Sequence, residues 1–111
     1  MIDNVSQDLE KYMDLVSMRQ KLVAANIANA DTPGYRTQDI DFQSEFQNVA
    51  AGKRPEVIEV PELKIKNDGN DVSIDRESRL LAENALRFRL ASALLKDKFS
   101  ILKQAIQGDK L

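Results

Sequence analysis

Every proline in this chain, Pro33, Pro55 and Pro61, falls between residues 31 and 70, and so do three of its four glycines, Gly34, Gly52 and Gly69. Proline removes a backbone donor and fixes φ, and glycine carries the largest ordering entropy, so long helices are confined to stretches that lack both. Two breaker-free arms therefore flank a broken centre, with Gly108 the one exception near the end. The division predicts an N-terminal helical arm over 1–32, an irregular linker over 33–72 with room for a short helix and strands, and a C-terminal helical arm over 73–111. At 111 residues, the three parts make one structural unit without separate domains.

Periodicity supports both arms. Leu9, Met13, Val16, Val23 and Ile27 recur at spacings of three, four and seven, and Leu15, Met18, Leu22 and Ala25 form a second stripe beside them, so the first helix should touch more than one neighbour. Steps of four and three from Leu81 give Leu81, Ala85, Phe88, Ser92, Leu95, Phe99, Leu102 and Ile106, a coiled-coil spacing that predicts a helix-packing stripe. Asp75 is the expected N-cap, Glu77 and Glu83 lie early, and Lys96, Lys98 and Lys103 lie late, as the helix dipole prefers. A helix over 76–107 would be about 48 Å long at 1.5 Å per residue, too long to wrap into a small globule. Leu80, Leu86, Leu90, Leu94 and Ile101 lie off that stripe, which leaves this arm apolar on more than one face. In the centre, Glu56–Val60 and Leu63–Lys66 alternate weakly, Asn67 to Asn70 reads as a turn, and residues 47–70 are candidates for mobility. The expected fold is all-α and elongated: two long terminal helices in a coiled-coil-like pair, with an extended or weakly β central segment.

Chemistry is narrowed by what is missing. With no cysteine and no histidine, thiol nucleophiles, disulfides, Cys/His metal sites and imidazole bases are absent. A carboxylate hydrolase would need a walled cleft to split two carboxylate pKa values, and six aromatics are poor material for one. The expectation is a non-enzyme without cofactors. A net charge of −2 selects neither nucleic acid nor an anionic membrane, and Arg76, Arg79, Arg87, Arg89, Lys96 and Lys98, interleaved with acids and lacking an aromatic platform, read as a solvated helix face. The longest apolar run, Leu22 to Ala25, is far too short to span a bilayer, and the N-terminus lacks the basic flank and apolar core of a secretory signal. A calcium loop at Asp68 and Asn70 fails because Arg79 falls where an EF-hand needs glutamate. Asp39, Asp41 and Glu45 read as a polar loop leading into a short helix.

The informative segment runs from Asn26 to Tyr35. Asn26 and Asn29 lie on one face of a helix end, and Thr32-Pro33-Gly34 then stops the helix. The two amides are either a solvated stop signal or donors and acceptors for cross-chain hydrogen bonds.

The segment resembles the N-terminal signature of flagellar axial proteins, the rod, hook and hook-associated families, in which Asn-Ile-Ala-Asn is followed by Thr-Pro-Gly-Tyr. Asn26, Ile27, Ala28, Asn29, Thr32, Pro33, Gly34 and Tyr35 supply all of it, and Asp39-Ile40-Asp41-Phe42 continues the likeness toward the proximal rod. The second arm, with Val72 to Glu77 and Leu81 to Asn84, is similar to the C-terminal helix of the same branch and lacks the ending typical of hook and distal rod. The resemblance implies a structural subunit of the basal-body rod, made in the cytoplasm, exported through the flagellar type III apparatus without signal cleavage, and assembled in the periplasm. The implied partners are further copies, proximal and distal rod subunits, the rod-to-MS-ring adaptor and the export apparatus. It also implies an assembly motif comprising the eight signature residues with Asp41 and Phe42. The rival class is a soluble helical adaptor or export chaperone that holds a partner helix in its groove.

Overall fold

The computed structural model describes residues 2–49 and 51–108. Met1, Ala50 and residues 109–111, which fall within the expected arms and linker, lie outside the described residues. In order the elements are α1 (Ile2–Ala28), β1 (Gln38–Ile40), α2 (Phe42–Val49), β2 (Val57–Glu59) and α3 (Ile74–Gly108). The molecule is a rod 70 Å long and 25 by 16 Å across. Its two long helices pair antiparallel: Gln20 meets Asn84, Tyr12 meets Arg87, and Val5 shares a cleft with Leu94.

α1 needs several neighbours because it is apolar on two stripes, and it has them, touching α3, β1 and α2. Leu15, Val16 and Val23 are almost completely buried, and with Ile40, Val72, Leu80 and Ala91 they form a small core under one half of the hairpin. Burial of such side chains is the main favourable term available to a domain of this size.

The centre is folded back onto α1. β1 and β2 pair antiparallel, with Asp39 opposite Ile58. The alternation of Glu56–Val60 thus becomes a strand, but its partner is β1, not Leu63–Lys66, because Pro61 and the left-handed Glu62 (φ 64°) interrupt the run between them. Asp41 starts α2 by accepting from the Ser44 amide, and Ser73, not Asp75, caps α3 by accepting from the Arg76 amide. Asp75 instead occupies the first turn, where its charge suits the dipole.

The expected stripe on α3 is not the seam of the hairpin. Glu77, Leu80, Asn84 and Ala91 are the buried residues of this helix. Leu81, Phe88, Phe99 and Ile106 are all more than two-fifths exposed, Ala85 is exposed, and Leu95 and Leu102 are half-buried. The contact face lies about one residue earlier in register than apolar periodicity indicates, because two of its four positions are polar. The stripe forms one flank of α3, and Leu86, Leu90, Leu94 and Ile101 form the other.

Candidate assembly site

Asn26 ends α1 inside the protein, with no exposed surface. Its Nδ2 donates to the Gln38 carbonyl at 2.8 Å, while its Oδ1 accepts from the Gln38 amide at 3.1 Å and from the Tyr35 hydroxyl at 2.9 Å. The side-chain amide thereby pairs with the backbone of Gln38 as another peptide group would in a sheet, and it fixes the start of β1 against the helix. Cross-chain bonding by Asn26 is overturned: it is sealed and engaged within its own molecule. Burial first, and then the carboxylates of Glu77 and Asp71, push the Tyr35 phenol above the ordinary tyrosine range, which keeps it neutral and able to donate.

Asn29 works on the helix stop. Its Nδ2 donates to the Ala25 carbonyl and its Oδ1 accepts from the Thr32 hydroxyl. The carbonyls of Asn29 and Thr32, left over where the helix ends, both accept from Nδ2 of the buried Asn70 at 2.9 and 2.8 Å. Gly34 then turns with φ 76°, and its amide donates to the Asp68 carbonyl. Gly69, at φ 86°, lies against it so closely that a Cβ there would meet the Gly34 Cα at 3.4 Å. Asp71 completes the tie, accepting from the Thr37 amide at 2.6 Å and pairing with Arg36 at 3.2 Å. The turn over Asn67 to Asn70, expected as a turn alone, is the second half of the motif.

A charged network extends the site. Arg19 grips Asp39 with two bonds of 3.0 Å, and Arg76 donates to Asp39 at 2.6 Å and to Glu77 at 2.7 Å. Asp39 is 4% exposed and Glu77 fully buried, so this is a desolvated tie between α1, β1 and α3. Neither a solvated helix face for Arg76 nor a polar loop for Asp39 describes it. Asp39 was within reach of sequence reasoning, since Asp39-Ile40-Asp41-Phe42 carries part of the resemblance. Nothing in apolar periodicity marks Arg19, Glu77 or Asn84.

Of the other motif residues, Asp41 caps α2 from the surface and Phe42 sits beneath two cations, the guanidiniums of Arg19 and Arg87 lying 5.5 and 5.1 Å from its ring. Tyr12 packs edge-on against both Phe42 and Phe46. Ile27 is half-buried, whereas Ala28, Thr32 and Pro33 face outward. The structure thus joins Asn26, Asn29, Thr32, Gly34 and Tyr35 in one knot, places Phe42 in a neighbouring cluster, and leaves the α3 stripe apart from both.

Fold and knot together define an axial-type chain, a two-helix hairpin whose first helix is closed off by Asn-Ile-Ala-Asn and Thr-Pro-Gly-Tyr. The family model described as "Flagella basal body rod protein" matches residues 15–36, the buried end of α1 and the turn after it. The flagellar basal body rod protein FlgB of Salmonella typhimurium is 31% identical over 89% of this chain and 90% of that protein, and FlgB of Yersinia ruckeri is 32% identical over 93% and 96%. FlgB of Bacillus subtilis is 26% identical over 94% of both. The chain belongs to the FlgB family of flagellar basal-body rod proteins.

Proposed function

We propose that this chain is a structural subunit of the flagellar basal-body rod, in its proximal part, and that it assembles through its terminal helices with further copies and other rod proteins. The observation that carries the reading is the state of α3. Leu81, Phe88 and Phe99 on one flank and Leu86, Leu94 and Ile101 on the other are 41 to 66% exposed. A helix with one partner buries one stripe, so two further apolar flanks need neighbours from outside the molecule. The knot supplies the complementary part, a turn that ties the end of α1 to β1 and to the segment leading into α3. Among the described residues no helix is long and apolar enough to cross a membrane. Delivery by the flagellar export apparatus and a periplasmic location follow from the family reading.

The test is genetic and biochemical. Cells lacking the gene should not swim, and basal bodies purified from cells carrying a tagged chain should contain it within the rod. Recovery of the tagged chain only from the cytoplasm, bound to another exported protein, overturns the reading in favour of an adaptor or export chaperone.

A further inference from the structure

Asp68 and Gly69 form the tip of the turn that completes the knot, and the turn dictates both. Gly69 sits at φ 86°, in the left-handed region, and a Cβ there would meet the Gly34 Cα at 3.4 Å, so the position is held to glycine. Asp68 Oδ1 accepts from the Asn70 amide at 3.0 Å, an Asx turn, and Asn70, thus placed, reaches the carbonyls at the end of α1. The result is an exposed aspartate followed directly by glycine. That pair is chemically weak, because glycine has no Cβ to shield its nitrogen from the neighbouring side chain. The Gly69 nitrogen attacks Cγ of the un-ionised Asp68 carboxyl, the carboxyl OH and the amide hydrogen leave together as water, and the new C–N bond closes a succinimide ring. A water molecule then opens the ring. Opening at Cγ restores aspartate, and opening at the α carbonyl leaves isoaspartate, with the main chain rerouted through Cβ and Cγ. Water is the only co-reactant.

We propose that Asp68–Gly69 is a modification site gated by the knot: it isomerises while the turn is open, is shielded while the turn is closed, and once isomerised keeps the knot from closing. The shield is made of the turn's own bonds. The Gly69 amide donates to the Lys66 carbonyl at 2.9 Å, and an imide nitrogen carries no hydrogen, so ring closure forfeits that bond. The Asp68 Oδ1 is engaged by Asn70, and the Gly34 backbone lies against Gly69, so the side chain and the nitrogen it must meet are both held in place. The damage follows from the same bonds. In isoaspartate the Asp68 carbonyl, which accepts from the Gly34 amide at 2.9 Å, becomes part of a free carboxylate. The added main-chain carbon also displaces Asn70 from the Asn29 and Thr32 carbonyls. The gate belongs to the single chain, so its test is independent of rod assembly.

The full chain is incubated in mildly acidic buffer with and without unfolding guanidinium chloride, and isoaspartate at residue 68 is followed by peptide mapping with electron-transfer fragmentation. Isomerisation in denaturant should outpace that in buffer by about tenfold or more, and the Gly69 amide should be protected from hydrogen exchange in buffer, since the same opening exposes both. Asp68→Glu, whose longer side chain closes a larger and slower-forming ring, should stay unmodified in either solvent. Asn70→Ala frees the Asn29 and Thr32 carbonyls and should speed isomerisation in buffer while helical circular dichroism is kept; where that variant unfolds, the exchange of the Gly69 amide in the unmodified chain decides. Chain aged in denaturant and returned to buffer should yield an isoaspartyl fraction with a lower urea midpoint. Absence of isoaspartate at residue 68 in denaturant, equal rates in the two solvents, an unprotected Gly69 amide, a folded Asn70→Ala that isomerises no faster, or an isoaspartyl fraction as stable as the unmodified chain each overturn the proposal.

Discussion

The region around Asn26 and the distal half of α3 contrast in how they treat their own bonding capacity. Around Asn26, most side-chain amides, carboxylates and backbone groups from residues 25–38 and 66–77 are paired with one another, Thr37 Oγ1 and Glu77 Oε2 being exceptions, and Asn26, Thr37, Asn70, Asp71 and Glu77 are at most 2% exposed. Along distal α3, Leu94, Phe99, Ile101 and Ile106 are more than half exposed. Polar groups are expensive to bury unpaired and lose little by being paired locally, so the knot closes within one chain. Apolar surface is non-directional and can wait for any fitting neighbour, so it is the natural currency of assembly. One end is largely closed on folding, and the other keeps its apolar surface open.

The contrast can be broken most severely at Asp39. Asp39→Ala strands Arg19 and Arg76 in a buried site and should cost about 3–5 kcal/mol, read from urea unfolding. A loss below about 1 kcal/mol would mean that the network is solvated and the knot end less closed than described. Asn26→Ala comes next. It removes the partner of the Gln38 amide, the Gln38 carbonyl and the Tyr35 hydroxyl, at about 1–3 kcal/mol for each group left buried and unpaired. Denaturation should therefore show a markedly destabilised monomer even though alanine is the better helix former. An unchanged midpoint would return the motif to a simple stop signal.

Tyr35→Phe sharpens the comparison through pH. The folded pKa is raised, so the folded chain holds the phenolic proton longer than the unfolded chain. Its stabilisation is complete below the ordinary tyrosine value of about 10 and is lost as pH rises through the higher folded value. The variant should lose about 1 kcal/mol at neutral pH and show a shallower alkaline decline, measured as unfolding midpoints between about pH 8 and pH 11. A parallel decline in both proteins would place the titration elsewhere. The smallest stability effect is expected at the open end. Phe99→Ala should change monomer stability by no more than about 0.5 kcal/mol, yet it should impair swimming when it replaces the native chain. A loss of several kcal/mol in the monomer would show that distal α3 is already packed at home.

The architecture was legible because it rests on breakers and period: prolines and glycines confined to the centre delimit both helices, and the two apolar stripes of α1 foretold its several neighbours. The seam of α3 was misread for a physical reason. Its positions include Glu77 and Asn84, which a hydrophobic period rejects, so the reading slid to the better-populated flank through Leu81 and Phe88. β1 was invisible because three residues, Gln38, Asp39 and Ile40, carry no usable alternation, and their strand exists only through Asn26 and β2. The half of the knot contributed by Asn70 and Asp71 lies some forty residues from Asn26, a distance over which local pattern says nothing about contact.

The cross-ties between the helices also have a mechanical meaning. Greasy contacts alone let two antiparallel helices slip past each other by small steps, since one leucine replaces another at little cost. Here Arg19 and Arg76 clasp a common carboxylate, Gln20 bonds Asn84, and Arg87 reaches the Tyr12 hydroxyl at 3.3 Å, so directional bonds join the pair at successive levels like rungs. Sliding one rail against the other has to break the rungs together. A part built this way resists shear along its length, because one helix cannot slide past the other without breaking several directional bonds at once.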